Sequence, residues 1–269
     1  MIEWMTALAT KYKTARRAYP EQPLMIVFDI DGTLLDMRHM VWHSLLAFDR
    51  EHSTSHFYGL NVEDLEGDVD DLGELLVSLA VPAEAREHIQ QWFEEYRTSP
   101  EAILASHQPF RGALEVVRWF QMQPDVSIGV NTGRPEHSRR ETLRSLNALG
   151  SRYRVEFEDD NLFMFDDEVH ETVPASKAAA LEHFGSEGYR VFAVVDDEVE
   201  NIAAMSDIDY RGRILFLHAD TMFRDSSRRI PRTVRGETYE LPQLIGADEL
   251  SERTNFVWHG LNNWKSLGH

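Results

Sequence analysis

Two aspartates one residue apart, Asp29 and Asp31, close a continuous apolar run and lead into Gly32 and Thr33. Further along, Thr132 and Gly133 follow a second apolar run, Lys177 opens a helical pattern, and Asp196 with Asp197 closes a third run. If folding brings these ends together, three or four carboxylates share one place. They cannot all stay ionised without a cation or protons between them. A hard divalent ion such as Mg2+, held by a few carboxylates, a backbone carbonyl and water, resolves that repulsion. Such an ion would also attract and polarise a phosphoryl group. Lys177 supplies the complementary positive charge. The Thr132 hydroxyl, and backbone N–H groups near Gly32 and Gly133, can bind phosphate oxygens.

The elements that must carry these residues are legible as apolar runs. Residues 24–28 (LMIVF) are apolar throughout, as a strand buried on both faces requires. Similar runs lie at 126–130, 191–195 and 214–217, with a weaker one at 162–165. Between them fall helical patterns: Ala113, Val116, Val117 and Phe120 share one face, as do Leu143, Leu146 and Leu149. Strands alternating with helices predict an α/β fold with a parallel sheet and right-handed crossovers. Ligands of open α/β sheets bind at the carboxyl ends of the strands, where Asp29, Thr132 and Asp196 all stand. Residues 1–20 are expected to form a helix stopped by Pro20 and Pro23.

One interval breaks the alternation. From 37 to 107 the signals are helical only: Met37, Val41, Leu45 and Phe48, then Val69, Leu72, Leu76 and Leu79, then Ile89, Trp92, Phe93 and Tyr96. The expected organisation is a discontinuous core, 1–36 with 108–269, interrupted by an all-helical insertion at 37–107. The tail beyond Thr221 is harder to read. Arg224, Arg228, Arg229, Arg232 and Arg235 crowd a stretch taken as a surface loop, and residues 255–260 are a candidate short strand. Trp258 and Trp264 would pack that tail onto the body.

Four of these stretches, in order, resemble the motifs of the haloacid dehalogenase (HAD) superfamily. Asp29-Ile30-Asp31-Gly32-Thr33 looks like its first motif, Thr132 its second, Lys177 its third, and Val194-Val195-Asp196-Asp197 with Glu200-Asn201 the double-aspartate form of the fourth. The resemblance implies a HAD-like core whose 37–107 insertion is a helical cap. It also implies that Asp29 is a nucleophile forming an aspartyl-phosphate, with Asp31 as acid and then base. Asp29, the Asp31 carbonyl and Asp197 would hold Mg2+, with Asp196 supporting the site. Thr132, Gly133 and Lys177 would bind and neutralise the phosphoryl group. The dehalogenases of the superfamily lack a carboxylate at the position of Asp31, because a halide leaves without a proton whereas an alkoxide does not. A phosphatase is therefore the expected activity. A phosphomutase, a polynucleotide-end phosphatase and a non-catalytic phosphate-binding protein are the alternatives on the same core.

Charge and composition narrow the partners. The 269 residues carry a formal charge of −19, which repels phosphate backbones and anionic lipid. The expected partner is a small phosphorylated substrate, with no nucleic acid by default and no membrane; the oligomeric state is left open. The chain has no cysteine, which excludes disulfides, thiolate zinc sites and a cysteine nucleophile and fits a cytoplasmic setting. No run approaches the roughly 18 apolar residues of a spanning helix, and the N-terminus lacks the apolar core of a signal peptide. Three lesser features have competing readings. Arg134 is either a substrate ligand or a surface ion pair. His52 and His56 have a helical metal spacing, but Ser53-Thr54-Ser55 weakens the helix. The acidic stretch from Glu63 to Glu74 reads as a solvated face.

Overall fold

The run Leu24–Phe28 forms strand β1, and its side chains divide between two apolar clusters. Leu24, Ile26 and Phe28 point into one; Met25 and Val27 point into the other. Period-two alternation therefore persists inside a run with no polar residue, because both faces of the strand are covered. The structure is a computed structural model describing residues 4–65, 72–105, 107–221 and 233–246. The acidic residues Asp68 and Asp70, the arginines Arg224, Arg228, Arg229 and Arg232, Trp258 and Trp264, and the candidate strand at 255–260 lie outside those residues.

Five further strands complete one parallel sheet: β2 (Val126–Pro135), β3 (Leu162–Phe165), β4 (Arg190–Asp196), β5 (Leu215–Ala219) and β6 (Thr233–Gly236). Their order is β3-β2-β1-β4-β5-β6, so β1 stands inside the sheet between β2 and β4. This is the α/β fold that the apolar runs predict. Two details differ. Strand β2 runs on past Val130 and carries Thr132 and Gly133 within it. Strand β6 takes Arg235 out of the expected surface loop and makes it part of an edge strand, where it pairs with Asp220 at 2.5 Å.

Helices cover both faces. On the face of Leu24, Ile26 and Phe28 lie α1 (Trp4–Ala18) and, after four helices introduced next, α6 (Ala113–Gln121). Helix α1 buries Trp4, Met5, Leu8, Ala9, Tyr12 and Ala15 as one stripe. Tyr12 meets Trp119 and Phe120 edge-on, with ring centroids 5.6 and 5.7 Å away. Between β1 and α6 the described elements are helical: α2 (Met37–His52), α3 (Leu72–Ser78), α4 (Ala83–Tyr96) and α5 (Pro100–Ala105), with a short 3-10 turn at Val62–Asp64. The first three keep an apolar cluster of their own, built on Val41, Leu45, Phe48, Leu76, Ile89 and Phe93. After β2 comes α7 (Arg139–Gly150). The opposite face of the sheet is covered by α8 (Val173–Ser186) and α9 (Val199–Ile208), which bury Ala180, Leu181, Phe184, Ile202 and Met205. The last described helix is α10 (Leu241–Ile245).

Candidate active site

Strand β1 ends where its neighbours end, and the acids follow from that register. Phe28 stands beside Val130 of β2 and Val195 of β4, so the next residues of all three strands emerge together. The Asp29 N–H donates to the Val195 carbonyl at 2.9 Å, which holds the first acid against β4. Past it the chain turns sharply: Gly32 has φ +75° and donates to the Leu35 carbonyl at 3.0 Å. A side chain at Gly32 would collide with the Asp197 carboxylate, so this glycine lets two acid-bearing loops approach. Asp197 accepts from the Thr33 hydroxyl at 3.1 Å.

Lys177, on the first turns of α8, joins the two ends of the cluster. Its Nζ lies 2.7 Å from Asp29 Oδ1 and 2.7 Å from Asp196 Oδ2, with all three side chains buried. Burial would pull the ammonium down, but Asp196 and Asp29 hold it above its ordinary value. Asp196 is further fixed by the Glu198 N–H at 2.9 Å and the Asn201 amide at 3.3 Å. Asn131 donates to the Lys177 carbonyl at 3.0 Å and so ties β2 to α8. Burial, reinforced by Asp196 and Asp31 and opposed by Lys177, pushes the Asp29 carboxyl up to about 7. Burial and then the charges of Asp29 and Asp196 raise Asp197 well above the usual carboxylate range. Asp29, Asp196 and Asp197 each offer one oxygen within 4.8 Å of the others. A single lysine does not balance three acids, and an all-oxygen donor set suits a hard divalent cation, so these residues fit one.

The site opens into a cavity of about 510 Å³. Asp29, Asp31, Thr132, Gly133 and Lys177 line it from the sheet, and Met37, Met40, Val41, Phe93, Arg97 and Ile103 line it from the helices between β1 and α6. Asp29, Asp31, Thr132, Gly133, Lys177, Asp196 and Asp197 therefore all stand in this cavity or in the acid cluster joined to it. Arg134 also lines the cavity and is neither a surface pair nor a free cation. Its Nε and Nη2 donate to the two oxygens of Asp31, each at 2.6 Å. Loss of solvent would raise Asp31, but the Arg134 charge and hydrogen bonds overcome it and hold the carboxyl below its usual range. The histidine pair does not assemble. Helix α2 ends at His52 with Ser53 in a left-handed cap, and His52 stacks on Phe48 at 4.2 Å between ring centroids, so His56 leaves the helix.

Three contacts escaped the sequence. His107 meets Arg134 at 2.9 Å, His218 meets the Asp197 carbonyl at 2.9 Å, and the Tyr239 hydroxyl donates to the Thr33 carbonyl at 2.9 Å. The only signal for His218 is its place at the end of an apolar run.

Residues 24–209 match the family model of haloacid dehalogenase-like hydrolases. The chain belongs to that family. Solved structures share the fold of this HAD-like hydrolase at low identity. A Clostridium difficile protein described as a "Putative Phosphatase" is 14% identical, with a TM-score of 0.54, 84% of this chain and 100% of that chain covered. A HAD-superfamily hydrolase, subfamily IA, variant 1, from Geobacter sulfurreducens is 15% identical, with a TM-score of 0.50, 84% and 98% covered. No curated protein matches the HAD-like hydrolase described here. Among its described residues no helix is long and apolar enough to cross a membrane.

Proposed function

We propose that this HAD-like hydrolase removes the phosphate from a metabolite-sized monoester, with Mg2+, through an aspartyl-phosphate on Asp29. The observation that carries the reading is the buried Lys177 ammonium, 2.7 Å from both Asp29 and Asp196, beside Asp197 and at the wall of a cavity of about 510 Å³. A cation held there neutralises charge on a phosphoryl group as it transfers, in surroundings that exclude most water. Asp29, Asp197 and the Asp31 carbonyl would hold Mg2+, with Asp196 in support. When bound, the ion would offset the repulsion among the acids and polarise the phosphoryl group.

An Asp29 oxygen attacks phosphorus in line; its bond to phosphorus forms as the ester P–O bond breaks. The departing alkoxide takes a proton from Asp31. Water then attacks the same phosphorus, Asp31 takes up the proton that water loses, and Asp29 is released with phosphate. The Asp31–Arg134 pair is the resting arrangement, because a carboxylate with both oxygens engaged by a guanidinium has no proton to give. An entering phosphate dianion competes for the Arg134 fork, and the released Asp31 takes from solvent the proton that it gives to the leaving alkoxide, returning one to solvent after hydrolysis. Thr132 and the Gly133 N–H would hold the remaining phosphate oxygens. Helices at 37–107 act as the cap in this reading, and their apolar residues Met37, Met40, Val41 and Phe93 would exclude water and meet the substrate body. The charge of −19 and the absence of cysteine accord with a cytoplasmic enzyme of small anionic esters.

The test is a screen of phosphorylated metabolites with Mg2+, reading released phosphate, with a 3′-phosphorylated oligonucleotide included. We expect turnover of a small ester, none in Asp29→Asn, and loss with EDTA reversed by Mg2+. Activity retained in Asp29→Asn or in metal-free buffer would overturn the mechanism, and selective turnover of the oligonucleotide would overturn the substrate class.

A further inference from the structure

His107 is buried beside the site, on the segment that returns from α5 to the sheet, and the steps above leave it without a part. Its hydrogen bonds determine where its proton sits. The Ser145 hydroxyl donates to the Ile103 carbonyl at 3.1 Å, an acceptor that can give nothing back. With its one hydrogen committed, Ser145 Oγ accepts at 2.5 Å from His107 Nδ1, which must therefore carry hydrogen. On the other side of the ring, Nε2 lies 2.9 Å from Arg134 Nη2. A guanidinium has donors only, so Nε2 must present its lone pair. One neutral tautomer satisfies both ends. Burial and then the Arg134 charge push the His107 pKa down to about 3, in agreement with a neutral ring.

We propose that His107 is a positioning residue for Asp31: its Nδ1–H tautomer anchors the Arg134 guanidinium, whose Nε/Nη2 edge serves Asp31 at rest and the phosphoryl group when substrate enters. The inference rests on the reading of Asp31 as acid and base. Arg134 Nη2 has two hydrogens, one for Asp31 Oδ1 and one for His107. The edge can therefore exchange carboxylate for phosphate while the histidine bond stays made. The anchor also ties the site to the chain that carries the helices: the next residue, Gln108, accepts from the Asp36 N–H at 2.9 Å, where the outgoing and returning segments run side by side. Displacement of the return segment would move His107, then Arg134, then Asp31.

The tautomer is tested without turnover. In the full-length protein, 15N NMR of the His107 ring at neutral pH should show Nδ1 protonated and Nε2 bare, and Ser145→Ala should weaken that preference; a ring protonated at Nε2 alone overturns the anchor. Turnover with Mg2+ then separates positioning from simple packing. Asp31→Asn, His107→Phe and His107→Gln are compared on an alkyl phosphate and on p-nitrophenyl phosphate, whose leaving group needs little protonation. Acid catalysis is worth about 10²–10⁴-fold, so His107→Phe should lower the phosphorylation rate of the alkyl ester at least about tenfold more than that of the aryl ester. His107→Gln, which keeps an acceptor for Arg134, should regain part of the difference. If Asp31→Asn discriminates the two esters but folded His107→Phe slows both alike, the anchor fails and the acid–base reading stands. If Asp31→Asn also slows both alike, that reading falls and the anchor with it.

Discussion

At Gly32 one hydrogen atom decides how closely two acids can stand. The backbone is left-handed there, φ +75°, and a Cβ would collide with the Asp197 carboxylate. Gly32→Ala should therefore cost more than the roughly 1–2 kcal/mol of a left-handed alanine, because Asp197 must also withdraw. We expect a weaker Mg2+ response in a titration of activity and a lower melting temperature; an unchanged Mg2+ midpoint would show that Asp197 is not held by that approach. Single residues were legible where chemistry and strand ends coincide, as at Asp29 and Asp196. They were illegible where partners are remote. Arg134 and Asp31 are 103 residues apart, and His107 and Ser145 are 38 apart. No local pattern announces such contacts, and Arg134 read from its neighbours alone is an ordinary charged residue.

Among elements, legibility followed burial. Strands β1, β2, β4 and β5 are apolar runs because the sheet is covered on both sides, and each was readable at its centre. Strand β6, Thr-Val-Arg-Gly, lies at the edge of the sheet formed by the described strands, with a neighbour among them on one side only, and without an apolar run it reads as loop. Helices α2, α3 and α4 were readable because each turns an apolar stripe to a cluster that they share, whereas α5 lies outside it and packs on α7. That arrangement makes them removable in principle. The Asp36 N–H to Gln108 carbonyl bond, 2.9 Å, shows how near the two connections run, and a short linker can join them. Replacing residues 38–106 with a Gly/Ser linker should lower kcat/KM for the best metabolite by about 10–100-fold or more, while a generic aryl phosphate loses much less. Equal losses for both substrates in a folded variant would show that these helices do not select the substrate.

Over the whole molecule, the two ends of the described chain brace the loop after β1 that carries Asp29 and Asp31. Trp4 of α1 lies against Tyr239, with ring centroids 4.9 Å apart, and its indole N–H donates to the Thr238 carbonyl at 2.7 Å. Tyr239 in turn donates to the Thr33 carbonyl from within the core. Tyr239→Phe should therefore cost about 1–2 kcal/mol in urea unfolding, because it leaves a buried carbonyl without that donor. It should also slow turnover; unchanged stability would mean that the carbonyl finds another partner. Both Trp4 and Tyr239 fall outside the segment 24–209 that defines the family resemblance.

The Tyr239–Thr33 bond also has a consequence in time. It spans 206 residues, and at 5–20 residues per second the ribosome needs roughly 10 to 40 seconds to deliver the donor after the acceptor. Throughout that interval the nascent chain already holds Asp29 and Asp31 and, late in it, Lys177 and the paired acids. The loop that carries Asp29 and Asp31 nevertheless lacks the brace that finishes it, so the order of synthesis keeps this acid-rich segment incomplete until Tyr239 has been added.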